Sequence, residues 1–230
     1  MKIAVQGTDG HMGGLLVSII EEREGMEAVD LVEADGGFDV IIDFSHPANL
    51  DSVCAKAKKA GVPAIIATTG YTPEQEQQIA ELAKEVPVVF AANFSLGVTV
   101  MKRVLAEISP ILKDSFDMEM VERHHNRKLD APSGTAKMLV KAMDPQGEYE
   151  EVDGRSGMRK RGHEIGVSAV RGGTIPGVHT AIYAGDDEVL EITHTALSRK
   201  IFANGSLKAA EFAVNAEPGL YDMEDVLFSK

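Results

Sequence analysis

Tryptophan is absent and cysteine occurs once, as Cys54, in a chain of 230 residues. A lone thiol can neither close an intramolecular disulfide nor build a cysteine-based metal cluster, so stability must come from a packed core, and a reducing compartment suits the chain. Long apolar runs are also missing: no stretch approaches the roughly 18 consecutive apolar residues a membrane span needs. Met1 to Gly7 runs into a strand and glycine turn without the apolar core or cleavage site of a signal peptide. These absences predict a soluble, cytoplasmic protein. Positive charge is scarce as well, with 23 Lys and Arg against 36 Asp and Glu, a formal net charge of -13. Nucleic acid or an anionic membrane would be repelled by most of such a surface, so an anionic ligand must find a local basic patch.

What is present is enough apolar residue, 44%, for one large or two modest domains. Two are expected. The first part alternates short apolar runs (Ile3 to Val5, Ala28 to Glu33, Val40 to Ile42, Ala64 to Ile66, Val88 to Phe90) with amphipathic stretches (Met12 to Glu22, Ala48 to Ala60, Pro73 to Glu85). Unbroken apolar strands between helices imply a parallel sheet covered on both faces. Thr72 as N-cap and Pro73 at the first helical position mark the start of the third helix. Beyond Phe94, a helical periodicity over Val98 to Lys113 is followed by strand alternation at Phe116 to Met120 and Leu190 to Thr195. With Ile165 to Val170 and Thr180 to Ala184, these segments predict a central α+β domain with an open, mostly antiparallel sheet whose apolar face needs a cover. Asp144 to Glu164, rich in Gly and poor in large apolar residues, reads as a long loop; its Arg155, Arg159, Lys160 and Arg161 are either solvated or available to collect an anion. A helix from about Phe202 to Asn215 and a Pro218-Gly219 turn close the chain.

Basic and hydroxylated residues are combined in Glu122-Arg123-His124-His125-Asn126-Arg127-Lys128-Leu129-Asp130-Ala131-Pro132-Ser133-Gly134-Thr135. Two imidazoles and three cations beside a Ser-Gly-Thr turn suit an anion and a proton, since His and a crowded Lys can exchange protons near neutral pH. Gly134 and Thr135 open a helix through Leu139, and a carboxylate fits a helix N-terminus. Metal catalysis is not expected, because His124 and His125 are neighbours rather than i, i+4 partners. His46, His163, His179 and His194 stand in no motif, and structural roles are expected for them.

Gly7-Thr8-Asp9-Gly10-His11-Met12-Gly13 joins the first strand to the first helix, where a Rossmann fold places its pyrophosphate turn. Glycines let the backbone approach a diphosphate, and the helix start offers N–H groups. An acid after the second strand commonly binds the adenosine ribose; Glu33 is the first candidate and Asp35 the second. A carboxylate there repels a 2'-phosphate, so NADH is expected to be accepted. Ala67-Thr68-Thr69-Gly70 and Ala91-Ala92-Asn93-Phe94-Ser95 lie at carboxyl ends of parallel strands, the edge where such sheets bind ligands.

Taken together, the glycine turn, Ile41-Ile42-Asp43-Phe44-Ser45, Thr68-Thr69-Gly70, Ala91 to Ser95, His124-His125 to Thr135, Arg171-Gly172-Gly173-Thr174 to Thr180, and Phe202-Ala203-Asn204-Gly205 resemble the 4-hydroxy-tetrahydrodipicolinate (dihydrodipicolinate) reductase family. The resemblance spans nearly the whole chain, and H-H-x-x-K-x-D-A-P-S-G-T is its most specific part. It implies NADH- or NADPH-dependent reduction of a cyclic dicarboxylate in lysine and diaminopimelate synthesis, and a homotetramer. It implies a dinucleotide domain from residues 1–95 and 206–230, and a substrate and oligomerisation domain from 96–205. By motif, His124 and Lys128 are the catalytic acid pair. His125, Ser133, Gly134 and Thr135 hold the substrate. Gly7, Thr8, Asp9, Gly10, His11, Met12, Ala67, Thr68, Thr69, Ala91, Ala92, Asn93 and Phe94 contact the cofactor. Either Lys128 donates the proton or expels the hydroxyl while His124 stabilises charge, or His124 is itself the acid. His11 replaces an Arg common in the family, which implies a weaker hold on NADPH, and Ala67 replaces a usual Gly.

Overall fold

The apolar tripeptides that opened the strand prediction are fully buried: Ile3, Ala4, Val5, Val40, Ile41, Ile42, Ala64, Ile65 and Ile66 have no exposed surface. The reason is position. Each lies on an inner strand of a parallel sheet covered on both faces, so side chains of both alternating sets need apolar partners. A computed structural model describes residues 1–229. In chain order it begins β1 (Lys2–Gln6), α1 (His11–Glu21), β2 (Glu27–Asp30), β3 (Val40–Asp43), α2 (Leu50–Ala60), β4 (Ala64–Ile66), α3 (Pro73–Leu82), β5 (Pro87–Phe90). Thr72 caps α3 in a reciprocal capping box with Gln75, as its Thr-Pro start requires. Gly61, with φ of 64°, ends α2 in the left-handed region.

The second unit, residues 97–198, is built from α4 (Leu96–Leu112), β6 (Asp117–His124), α5 (Gly134–Met143), β7 (Glu150–Asp153), β8 (Glu164–Arg171), β9 (Gly177–Gly185) and β10 (Glu188–Ala196). Its sheet, ordered β10-β9-β6-β8-β7, is mixed rather than mostly antiparallel. β10 with β9 and β9 with β6 are antiparallel, but β6 with β8 and β8 with β7 are parallel. The cause is the connection: α5 carries the chain from the end of β6 back along the sheet, and a strand entered after such a crossover runs parallel to the one that left. Part of the expected 144–164 loop forms β7, whose alternation is too polar to read as a strand. Residues of α4 and α5 cover one face, packing Val98, Leu105, Leu139 and Met143 against Met118, Met120, Ala181 and Tyr183. On the other face Val170 and Val189 are exposed.

The chain then completes the first unit, residues 1–96 with 199 onward, through α6 (Lys200–Ala213), β11 (Gly219–Tyr221) and α7 (Met223–Phe228). Residue 205, where the sequence placed the domain boundary, lies inside α6. The six parallel strands run β11-β5-β4-β3-β1-β2. α1, α6 and α7 pack on one face, and α2 and α3 on the other. The order reverses direction between β1 and β3, the point at which open α/β sheets bind ligands.

Candidate active site

In the first unit, the glycine turn stands at that reversal. A Cβ on Gly7 would lie 2.7 Å from the Phe44 carbonyl oxygen, and one on Gly13 would lie 1.9 Å from the Gly7 carbonyl oxygen. The glycines are therefore required by close packing of the turn against the end of β3 and the start of α1. α1 has neither a side-chain cap hydrogen bond nor an acid in its first turn, so an anion has no built-in competitor there.

Beside the turn, Met12, Phe44, Ser45, His46, Ala67 and Thr68 are among the residues lining a cavity of about 400 Å³. Its floor is organised by Asp43, which has no exposed surface. The Ser45 hydroxyl donates to one Asp43 oxygen, the Tyr71 hydroxyl donates to the other at 3.1 Å, and Ser45 N–H donates to Thr68 Oγ1 at 2.8 Å. Burial raises the Asp43 pKa, against the hydrogen bonds that Asp43 accepts from Ser45, Thr68 and Tyr71, which lower it. The sequence showed Asp43 only as part of a matching pentapeptide. Its role as the link between the β3 and β4 loops is visible only when the two strands are side by side.

Of the other predicted cofactor residues, Asn93 Oδ1 accepts the Ser95 N–H at 2.8 Å and shapes the third loop, with Ala91 and Ala92 at its start. Phe94 is buried, and Gly205 of α6 presses on its backbone: a Cβ on Gly205 would come 1.6 Å from the Phe94 carbonyl oxygen. That contact is the physical reason for the glycine in Phe202-Ala203-Asn204-Gly205. Asp9, Gly10, His11 and Thr69 are exposed. Glu33 and Asp35 are exposed in the connection after β2. Asp30, which the sequence reading passed over, ends β2 and accepts from the Thr8 hydroxyl of the glycine turn and from Val32 N–H. The residues present thus fit a dinucleotide: a turn with glycines at 7, 10 and 13 at a helix start, an acid at the end of β2 and a cavity over the β3 and β4 loops.

In the second unit, the strand register gathers the other half of the chemistry. Alternation along β6 puts Met118, Met120, Glu122 and His124 on the covered face and leaves Arg123 exposed. The partners of His124 and Glu122 are Arg171 on β8 and His179 on β9. Glu122 is fully buried and takes four hydrogen bonds: His124 Nδ1–H at 2.6 Å, two Arg171 N–H groups at 2.7 Å each, and Ser133 N–H at 3.0 Å. Burial opposes its ionisation, but the bonds from Arg171, His124 and Ser133 outweigh it and hold the carboxyl below the usual range. An ionised carboxylate can only accept, so His124 Nδ1 carries a proton.

Ser133 caps α5, accepting the Ala136 N–H at 3.1 Å, and its hydroxyl is also 3.1 Å from His179 Nε2. Gly134 and Thr135 follow it as the first residues of α5. The His124 and His179 rings meet edge to face with centroids 5.1 Å apart. Burial, then the neighbouring His124, pushes the His179 pKa down to about 4. Lys128 Nζ lies 2.9 Å from Asp130 Oδ1, and Arg171 donates to the Asp130 carbonyl at 2.6 Å, tying the lysine loop to the Glu122 cluster. His125 is half-buried, while Arg127 is exposed.

Glu122, Arg171 and His179 are the residues that sequence reasoning missed. A faint signal existed for two of them, in the Arg171 to Thr180 match. The basic loop behaves otherwise than an anion collector: Arg155 and Arg159 pair with the buried Glu164, and Arg161 with Asp117 and Glu119.

Family models described as dihydrodipicolinate reductase, N-terminus, and dihydrodipicolinate reductase, C-terminus, match residues 28–94 and 97–227. The chain belongs to the dihydrodipicolinate reductase family. A curated relative from Clostridium novyi (strain NT), named 4-hydroxy-tetrahydrodipicolinate reductase, is 39% identical over 100% of this chain and 99% of its own. One of the same name from Brachyspira hyodysenteriae is 42% identical over 99% and 100%. The fold is shared with a solved, dipicolinate-bound dihydrodipicolinate reductase from Paenisporosarcina sp. TG-14, at a TM-score of 0.81 and 21% identity, covering 99% of both chains. As a family member the chain is an NAD(P)H-dependent oxidoreductase. The His-His to Ser-Gly-Thr segment falls within the C-terminal match, whereas the glycine turn with its His11 precedes the N-terminal one.

Proposed function

We propose that this dihydrodipicolinate reductase family member converts (2S,4S)-4-hydroxy-2,3,4,5-tetrahydrodipicolinate to tetrahydrodipicolinate, serves lysine and diaminopimelate synthesis in the cytoplasm, and uses NADH or NADPH. Its dinucleotide domain is the first unit, residues 1–96 and 199–229, and its substrate domain is the second, residues 97–198. The observation that carries the reading is the Glu122 cluster, which brings His124, the loop of Lys128 and the capped start of α5 to one end of one sheet. The net conversion adds one hydride and one proton and releases the hydroxyl as water.

When bound, the reduced nicotinamide supplies the hydride. The N–H groups at Gly134 and Thr135, with His125 and Ser133, seat a substrate carboxylate, because a helix start carries partial positive charge. His124 and Lys128 stabilise the negative charge that develops on the ring and deliver the proton. In the first unit, Gly7 to Met12 hold the diphosphate, while Ala67 to Thr69 and Ala91 to Phe94 line the nicotinamide side. Glu33 or Asp30 meets the adenosine ribose. A homotetramer is part of the reading: Val170 and Val189 leave apolar surface on the uncovered sheet face of the second unit, and a second copy would bury it.

Loss of nicotinamide absorbance in an assay coupled to the synthase that makes the hydroxy substrate tests the reaction. Turnover is expected, and replacing Lys128 by Ala is expected to lower kcat by about 10²-fold. Cofactor binding without turnover would rule the reaction out, and a fully active Lys128→Ala enzyme would remove Lys128 from it.

A further inference from the structure

We propose that Glu122 is a positioning residue that fixes the tautomer and orientation of His124, and that Arg171 joins this control to the loop carrying Lys128. The inference rests on the proposed part of His124 in proton transfer and adds the group that sets which of its nitrogens performs it.

The geometry leaves Glu122 little choice. One oxygen takes His124 Nδ1–H at 2.6 Å and one Arg171 N–H at 2.7 Å; the other takes Ser133 N–H at 3.0 Å and the second Arg171 N–H at 2.7 Å. Four donors on a carboxylate with no exposed surface hold it still. With Nδ1 committed, Nε2 is the only ring nitrogen able to gain or lose a proton. Among the described residues Nε2 has no hydrogen-bond partner. Gly177 keeps that nitrogen uncrowded, since a Cβ there would lie 3.1 Å from Nε2.

The remaining groups around His124 determine the electrostatics. Arg171 from β8 is neutralised by Glu122, His179 from β9 stays uncharged down to about pH 4, and Lys128 is paired with Asp130. His194 on β10 stands in register with His179, and burial lowers its pKa. Ser133, at the start of α5, adds a partial positive charge from the helix. Glu122 is thus the anion in direct contact with the imidazole, at its Nδ1 side. Arg171 also donates to the Asp130 carbonyl at 2.6 Å, so moving Glu122 would loosen the Lys128 loop as well.

Glutamine at 122 keeps the shape but has one oxygen, so either amide orientation turns an NH2 toward two donors. Nitrogen-15 NMR of the imidazoles in the intact wild-type protein provides a readout that needs no variant. The expected result is His124 neutral with the proton on Nδ1. In Glu122→Gln, kcat is expected to fall about 10²-fold and the Nδ1–H tautomer to lose its dominance, because the ring loses the acceptor that fixes it. Binding of NADH is expected to be unchanged.

A wild-type His124 with its neutral proton on Nε2 would overturn the proposal, whether or not the variant folds. An unchanged tautomer and kcat in a folded Glu122→Gln protein would overturn it too. A tautomer that changes in the variant while kcat does not would uphold the positioning by Glu122 and instead remove His124 from proton transfer.

Discussion

Asp30 and Glu33 show how three residues of sequence separate two different chemical settings. Glu33 is exposed in the turn after β2, whereas Asp30 ends the strand and bonds to Thr8 of the glycine turn. Both are acids near the place where a Rossmann fold binds the adenosine ribose, and both would repel a 2'-phosphate. The expected outcome for Glu33→Ala is a kcat/KM ratio of NADPH to NADH raised by about tenfold, roughly 1.4 kcal/mol. If Asp30→Ala moves the ratio while Glu33→Ala does not, the ribose acid is Asp30. Spacing alone favoured Glu33, because the strand's end could not be placed within a few residues until its pairing with β1 was known.

At the scale of elements, α5 does two jobs from one residue. Ser133 caps the helix through its hydroxyl, while its N–H binds Glu122, so the start of α5 is fixed to the strand that carries His124. Replacing Ser133 by Ala removes the cap and the contact with His179 and leaves the backbone bond in place. A loss of about 1 kcal/mol is expected, which corresponds to roughly 2–4 °C in Tm for a chain of this size. KM for the dicarboxylate should rise more than kcat falls, since the helix start holds substrate and does not transfer the proton. Thermal melts and steady-state kinetics check both, and an unchanged Tm would contradict the capping role. The Ser-Gly-Thr motif made the helix start legible in the sequence; its attachment to Glu122, eleven positions earlier, required β6 and α5 to pack together.

For the molecule as a whole, the pH dependence of stability follows from its buried histidine. His179 is 4% exposed, and its pKa is pushed from 6.5 to about 4, first by burial and then by His124. An unfolded chain takes up this proton as pH falls below 6.5, whereas the folded one refuses it until about 4. Stability is therefore complete above pH 6.5 and declines toward pH 4, by at most about 1.4 kcal/mol per pH unit from this group. As pH falls through the ordinary carboxylate range, Glu122 and Asp144, whose carboxyls are held below it, add to the loss, because the unfolded chain takes up those protons first. Urea unfolding at pH 7 and pH 5 is expected to show a weaker pH dependence in His179→Gln than in the wild type. An equal dependence would assign the effect to other groups. No helix among the described residues is long and apolar enough to cross a membrane.

Local pattern by itself determined the parallel sheet of the first unit, the glycine turn and the basic segment with His124 and Lys128, because each depends on neighbours a few positions apart: apolar runs, turn glycines and helix caps. Tertiary structure alone decided that the second sheet is mixed, that Arg155, Arg159 and Arg161 are occupied by acids, and that Glu122, Arg171 and His179 converge beside His124. Those facts depend on which strands become neighbours and in what register. In isolation Glu122 is one of 36 acids in the chain; pairing β6 with β8 and β9 and packing α5 against it enclose it and bring Arg171 and Ser133 to join His124 as donors.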